Sequence, residues 1–521
     1  MATHQPLVAL AHRVQGPSLT ARFAAAPDAR TREVRAPFTG EVLYALPLSS
    51  PDDVRAAALR ARAVQGSWAA TPVRERAAIL RRFHDLVLAH RDEAMDILQW
   101  ETGKARRDAL EEVLDVCVVT RYYTRTASRA LRPRRRLGAL PVLVGVQEIR
   151  KPVGLVGIIA PWNYPLTLAA SDAVPALLAG NAVMVKPDPQ TSLIAAWVAE
   201  QLLVAGLPDG LFSIVTGEGP EIGPQVIDAA DHVMFTGSTR TGRIVAEQCA
   251  RRLIGCSLEL GGKNAMIIRA DADIARAAEV AVRACFANTG QLCISMERIY
   301  VHADVMEEFL ARFIPRVLSL RIARGVGWGS DVGCLISSDH LSRVQSHVDE
   351  AVTRGATVLA GGRARPDIGP LAFEPTVLAD VTEDMAVCRE ETFGPVASVY
   401  AVADDEEAVA RANDTAYGLN ASILTRDIRA GQRLARRLRT GSVNINEGYA
   451  ASWGSTAAPM GGVGDSGLGH RHGEGGLLAY TEAQTVATQR LLGFGPQLGM
   501  DDERWGQVLA TAVGAMKRLR L

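Results

Sequence analysis

Two cysteines eight positions apart, in the stretch "ACFANTGQLCISMER" from Ala284 to Arg298, raise the first chemical question. A thiolate is a strong nucleophile, and a cysteine ionises close enough to neutrality for its surroundings to activate it. Spacing separates the pair. Ile274, Ala277, Ala278, Ala281, Val282, Cys285 and Phe286 recur at helical period with Arg276, Glu279 and Arg283 between them, so Cys285 belongs to the buried stripe of a helix. Asn288, Thr289 and Gly290 are residue types that end helices, which leaves Cys293 on irregular backbone where a thiol can face a cleft. Cys293 is the candidate nucleophile, and Cys285 is packing.

Attack on a carbonyl also needs a base and an oxyanion donor. "LELGGKNAMII" sets Glu259 among apolar residues and beside two glycines that permit close backbone approach. Desolvation there raises a carboxylate's proton affinity, which suits a general base near neutral pH. "APWNYP" fixes Asn163 between two prolines, where a held side-chain amide can donate to a developing oxyanion. "HVMFTGSTRTGRIVAEQCARRL" offers an anion site: a strand ending at Phe235, a turn with Gly237 and Gly242, then a helix whose free N–H groups and dipole favour phosphate. The single literal GxGxxG, Gly462, Gly464 and Gly467, has no strand before it or helix after it and is read as a flexible loop. "HRH" at 470–472 is read as a solvated loop, and no cysteine or histidine pair has zinc spacing, so no metal is expected.

These groups sit in a chain of 521 residues, long enough for two or three domains. Its 57 basic and 57 acidic side chains cancel, which removes any bulk attraction to nucleic acid or an acidic membrane. No run reaches the roughly 18 apolar residues of a membrane span; "LPVLVGVQEI" is about half that. Seven cysteines, an odd number, read as free thiols in a reducing, cytoplasmic setting, with Cys249, Cys256 and Cys334 as core or surface thiols. The acid-poor N-terminus faintly resembles an organellar leader, but the Ala and Arg bias of the whole chain accounts for it.

Residues 51–130 carry helical patterning, and the basic run "RPRRR" at 132–136 reads as a solvated loop. Beyond it, apolar runs bounded by Gly and Pro alternate with helical stretches in two successive series, the pattern of parallel, doubly wound α/β sheets. The end of the chain, "DERWGQVLATAVGAMKRLRL", reads as an amphipathic helix docked on the protein or on a second subunit, with membrane-surface binding as the minor alternative.

Taken in order, "PWNYP", "KPDPQTS", "FTGSTRTG", "LELGGKN", "NTGQLC", "ETFGPV", "NDTAYGLNAS" and "PMGGVGDSGLG" resemble the aldehyde dehydrogenase superfamily, from about residue 35 to 490. "GQLCISMERIYV", "SDAVPAL" and the C-terminal extension are similar to a mycobacterial-type branch that oxidises succinate semialdehyde with NADP. The resemblance implies a Rossmann-like cofactor domain from 1–131 and 153–259 and an α/β catalytic domain from 260–475. It also implies a small β bridging arm, from 132–152 and 476–521, that pairs subunits into a homodimer or homotetramer. Cys293 then corresponds to the family nucleophile, Asn163 to the oxyanion donor and Glu259 to the base that activates water against the thioester.

For the cofactor, the resemblance assigns Lys186 to the adenosine ribose, Gly237, Ser238 and Gly242 to the pyrophosphate turn, and Glu391 and Phe393 to the nicotinamide ribose. Trp162 and Leu260 lie beside them. Relatives that prefer NAD carry a Glu three residues after the lysine; Pro189 stands there, which favours NADP while admitting NAD. Glu482 matches a second acidic position and is given a supporting role. Two departures mark this chain. Asp172 occupies a position where many relatives have a proton-relaying Lys, and Ser171 one where many succinate-semialdehyde enzymes have a carboxylate-clasping Arg. Arg298 and Arg471 are the substitutes that the sequence offers. Two rivals from other classes are weaker: a cysteine amidase or acyltransferase would want a histidine base, and a silent binding member of the fold would not keep Cys293, Glu259 and Asn163 together.

Overall fold

In this computed structural model residues 19, 21–139, 144–490 and 495–518 are described. Most of the acid-poor N-terminus, and residues 140–143 of the apolar run, lie outside the described residues. Strands β1 (Thr31–Arg35) and β2 (Val42–Pro47) pair as an antiparallel hairpin, followed by helices at Pro51–Ala70, Val73–Ala89 and Arg91–Thr102 and the long helix α1 (Arg106–Ala130).

Contact density divides the chain into two units, 1–130 with 152–480 and 131–151 with 481–521. In the smaller unit, β3 (Arg134–Arg136) and β4 (Val144–Pro152) join the chain's last strand, Thr481–Gln489, in a three-stranded sheet. The "RPRRR" run is therefore an edge strand, not a loop. Arg136 Nε donates to Glu148 Oε2 at 2.8 Å across the β3–β4 pair, and charged side chains on an edge discourage further pairing. The terminal helix Asp502–Arg518 forms as its period indicates, with Trp505 buried and Val508 and Val513 exposed.

The larger unit holds both doubly wound series. β5 (Leu155–Ile159), β6 (Ala182–Lys186), β7 (Phe212–Ile214), β8 (His232–Thr236) and β9 (Gly255–Glu259) are all parallel, in the order β9-β8-β5-β6-β7. Their residues are mostly buried, as expected of strands covered on both faces. Strand order reverses at β5, so the crevice outside the carboxyl ends of β5 and β8 is where such a sheet binds ligands.

The second sheet contains β10 (Asn264–Ile268), β11 (Met296–His302), β12 (Thr357–Ala360), β13 (Thr376–Ala379), β14 (Val396–Val402), β15 (Asn420–Leu424) and β16 (Ser442–Ile445). Its order is β12-β13-β14-β11-β10-β15-β16, with β12 alone antiparallel. β10, the last run of the first series by pattern, thus lies inside the second sheet.

Four more helices position the chemistry: α2 (Pro165–Ala179), α3 (Ser192–Val204), α4 (Thr239–Arg252) and α5 (Ile274–Phe286). A further strand, β17 (Gly467–Leu468), pairs antiparallel with β9 beside Glu259. The GxGxxG segment is consequently not a flexible loop: Gly467 is locked at φ 154°, and a side chain there would meet the Leu258 carbonyl.

Candidate active site

Helix α5 ends at Phe286, and Asn288, Thr289 and Gly290 then take φ values of 50°, 60° and 69°. Three left-handed residues in succession turn the chain out of the helix. A Cβ at Gly290 would run into the Gly394 carbonyl, so only glycine fits. Side-chain amides hold the loop from Asn288 to Ser295. Asn288 Nδ2 donates to the carbonyls of Asn163 (3.1 Å) and Gln291 (2.9 Å), and Gln291 bonds Cys334 O and Ile336 N. Asn264 Nδ2 donates to Cys293 O and Ser295 O, each at 2.7 Å, and Asn420 Nδ2 to Ile294 O at 3.1 Å. The thiol of Cys293 thus sits on a loop whose backbone is fixed at both sides. Asn264, Gln291 and Asn420 carry no assignment at the level of sequence, and Asn288 only that of a helix stop, although "GKN", "NTGQ" and "LNAS" contain them.

A cleft of about 250 Å³ opens beside this loop, lined by Trp162, Asn163, Gly237, Ser238, Glu259, Leu260, Cys293, Glu391 and Phe393 among others. Nine of the residues expected from sequence therefore converge on one concave space, the kind of place where small molecules bind. Two do not line it. Lys186 lies at the end of β6 with its ammonium on the Pro187 carbonyl at 3.2 Å. Gly242, in the first turn of α4, makes room for the Leu260 side chain.

Asn163 is 5% exposed, and its Nδ2 donates to Gln291 O at 3.1 Å, which leaves the second amide hydrogen for the cleft. The buried Lys104 holds the Asn163 carbonyl at 2.7 Å and pairs with Glu112. Glu112 in turn accepts from Leu166 N (2.9 Å) and Thr167 N (3.1 Å), capping α2, whose first residue, Pro165, has no N–H to satisfy. On the far side of the cleft, Lys263 pairs with Glu297, and Glu297 accepts from Thr392 N and Phe393 N. That clamp holds Phe393 at φ 58°, a conformation costly for an aromatic residue. Glu391 accepts from Gly262 N at 2.8 Å, and burial raises its pKa to about 8.

Burial also sets the protonation of the reacting groups. The Cys293 thiol is pushed up to about 12, with the Arg471 charge acting against that rise and Glu391 and Glu259 adding to it. Glu259, 5% exposed, is raised to about 7, again chiefly by burial, with Arg471 opposing and Asp172 adding. A half-buried thiol raised in this way is protonated near neutrality and needs a base, and a carboxylate near 7 is matched to proton transfer there.

The "HRH" segment is solvated only at His470, which is exposed. His472 is buried and the Arg471 side chain is 11% exposed; Arg471 Nη2 lies 3.4 Å from Asp172 Oδ2 and donates to Thr236 Oγ1 at 3.0 Å, while its Nε lies 3.8 Å from Glu259 Oε1. His472 is held near pKa 3 by burial and by Arg471, hence neutral. Arg298, the other carboxylate clasp that the sequence offers, is spent on carbonyls: it donates to Lys263 O, Arg411 O and Ala412 O. Among the described residues there is no cluster of metal-ligating side chains.

An "Aldehyde dehydrogenase family" sequence profile matches residues 23–486. The chain belongs to the aldehyde dehydrogenase family. A Mycolicibacterium smegmatis relative named "Putative succinate-semialdehyde dehydrogenase", with NADP(+) in its name, is 51% identical across 94% of this chain and 95% of its own length. Among solved structures, a betaine aldehyde dehydrogenase from Staphylococcus aureus in complex with NAD+ superposes with TM-score 0.88 and 30% identity. It covers 95% of this chain and 99% of that one. An E. coli NADP-dependent enzyme gives TM-score 0.86 and 33% identity, over 89% and 96% of the two chains.

Proposed function

We propose that this chain oxidises an aldehyde to the carboxylic acid with NADP, and with NAD as a second cofactor, succinate semialdehyde being the first substrate to test. The observation that carries the reading is the convergence of the Cys293 thiol, the Glu259 carboxylate with a pKa near 7 and the Asn163 amide on one cleft below the ends of β5 and β8. Glu259 removes the thiol proton, and the sulfur adds to the aldehyde carbon. The oxyanion is held by the free Asn163 amide hydrogen and the Cys293 backbone N–H. NADP or NAD, when bound, would supply the hydride acceptor that oxidation of the Cys293 adduct to a thioester requires. Once the thiol proton has passed from Glu259 to solvent, the ionised carboxylate takes a proton from water, whose oxygen adds to the thioester carbon; the Cys293 sulfur leaves as thiolate and the acid is freed.

The residues fit such a cofactor. Ser238 caps α4 by accepting from Thr241 N, so the helix presents its positive end at a cleft lined by Gly237 and Ser238. Pro189 leaves no carboxylate three residues after Lys186, although Asp188 and Glu218 act on the Lys186 charge more strongly than Arg32 does, and Arg32 pairs with Glu218. Lys186 would hold a 2'-phosphate, joined by Arg32 if it exchanges Glu218 for the phosphate, with Gly237 and Ser238 on the pyrophosphate and Glu391 and Phe393 on the nicotinamide ribose. All seven cysteines are free, consistent with a reducing, cytoplasmic setting, and no described helix is long and apolar enough to cross a membrane. We take the active form to be a homo-oligomer, because Thr481–Gln489, the edge of the three-stranded sheet opposite the charged β3, is exposed along nearly all its length.

A second reading, oxidation of uncharged short-chain or aromatic aldehydes, is favoured by one observation. Arg471, the clasp that the sequence offers, is already faced by two carboxylates, and Ser171, at the position of the carboxylate-clasping arginine, donates to Asp115 at 2.8 Å. Purified protein with NADP or NAD and a panel of acidic, aliphatic and aromatic aldehydes decides between the two by nicotinamide reduction. No reduction with any aldehyde, from protein that still binds cofactor, would overturn both.

A further inference from the structure

Arg471 and Asp172 touch none of the reacting atoms, yet they are the charged groups nearest the base. Asp172 projects from α2, 4% exposed, and its Oδ2 has no hydrogen-bond partner; Glu259 Oε1 and Arg471 Nε also have none. The arginine is held rigidly all the same. Its backbone forms a two-way bridge with Met460 (2.8 and 2.9 Å), and Thr236, at the end of β8, accepts from Nη2. One cation thus stands between two buried carboxylates, at 3.4 and 3.8 Å, close enough for a strong Coulombic effect and too far for a hydrogen bond to the base.

That distance has a chemical meaning. A bidentate salt bridge would pin the carboxylate and occupy the oxygen that must accept a proton. An unbonded cation favours the ionised form and leaves Oε1 open.

We propose that Arg471 and Asp172 are positioning residues that set the ionisation of Glu259 by competition, the arginine holding the base as a carboxylate and the aspartate drawing part of that charge away. The inference rests on Glu259 being the base. Other titratable groups facing this cluster are Cys293 from the nucleophile loop, Tyr123 and Asp115 from α1, and His472 and Tyr480 from the segment after β17. None of these is a cation, since His472 is neutral. The two substitutions therefore act in opposite directions. Without the arginine the base is harder to ionise; without the aspartate's charge it is easier.

The test is the pH profile of acyl-enzyme breakdown in single turnovers of the full-length protein, a step in which the Cys293 thiol has already been consumed. Arg471→Met should move the acid limb of that profile to higher pH by about 1–3 units, and Asp172→Asn should move it to lower pH. Arg471→Lys should bring it back towards the wild-type position. If Arg471→Met fails to fold, Asp172→Asn and Arg471→Lys still give the required downward shift and its absence, read beside thermal midpoints. Limbs that stay in place, or move together, overturn the competition while Glu259 remains the base. A limb that survives in Glu259→Gln shows instead that the base was wrongly assigned, and the competition falls with it.

Discussion

Two kinds of buried charge surround the cleft. Lys104–Glu112 and Lys263–Glu297 are saturated: each glutamate accepts backbone N–H groups besides its lysine, and Lys104 also holds a carbonyl. Asp172, Arg471 and Glu259 are not, each keeping a buried atom without a hydrogen bond. The saturated pairs tie down backbone: one fixes Asn163 and the start of α2, the other the turn carrying Phe393. The unsaturated trio faces the space where a proton has to move. Satisfied charge serves as frame, and unsatisfied charge stores reactivity at a cost in stability.

The frame is the place to expect the largest loss. Lys263→Met leaves Glu297 buried without its counter-charge and should cost about 3–5 kcal/mol in denaturant unfolding. A loss below about 1 kcal/mol would erase the distinction between the two groups. Glu259→Gln should do the reverse. Its folded-state pKa, about 7, lies above the ordinary 4.5, so the folded protein binds the proton more tightly than the unfolded chain. The stability this contributes is present in full below pH 4.5 and lost as pH rises through 7. The glutamine variant, which never ionises, should match wild type in acid and exceed it by up to about 3 kcal/mol above neutrality, measured as unfolding midpoints across that window. Acyl-enzyme breakdown should slow by about 10²–10⁴-fold in the same variant. Smaller again is Gly290→Ala, where a side chain at φ 69° meets the Gly394 carbonyl. It should cost about 1–3 kcal/mol and misplace the nucleophile loop, so turnover should fall more than stability alone would dictate.

The reach of the sequence divides along the same line. Features set by neighbours in the chain are legible in it: the apolar stripe of α5 that buries Cys285, the stop at Asn288–Gly290, and most strands, as Gly- and Pro-bounded apolar runs. β9 escapes such a reading because Gly-Cys-Ser-Leu-Glu presents no such run. Features set by distant partners mislead. "HRH" looks like a solvated loop until Asp172, Thr236 and Glu259 close around Arg471, and "RPRRR" looks like a loop until β4 pairs with it. Arg298 offers itself as a clasp because nothing local reveals that three carbonyls from residues 263, 411 and 412 consume its donors.

The smallest expected effect belongs to Cys285→Ala, and it tests whether the thiol of α5 and the thiol of the loop after it are separable. Cys285 is 1% exposed in the cluster with Phe286, Phe309 and Phe313, and burial drives its pKa far up, so it stays a thiol. Its tie to the nucleophile loop runs through backbone, since Ser295 Oγ donates to the Cys285 carbonyl at 3.0 Å, a bond that alanine keeps. Removing one sulfur from a close-packed site should cost about 1 kcal/mol in unfolding. Turnover, and the rate at which a thiol alkylating agent inactivates the protein, should be unchanged, because both report Cys293, half-buried at the cleft. A folded Cys285→Ala protein without turnover would mean that the buried thiol, not the one in the cleft, is the nucleophile.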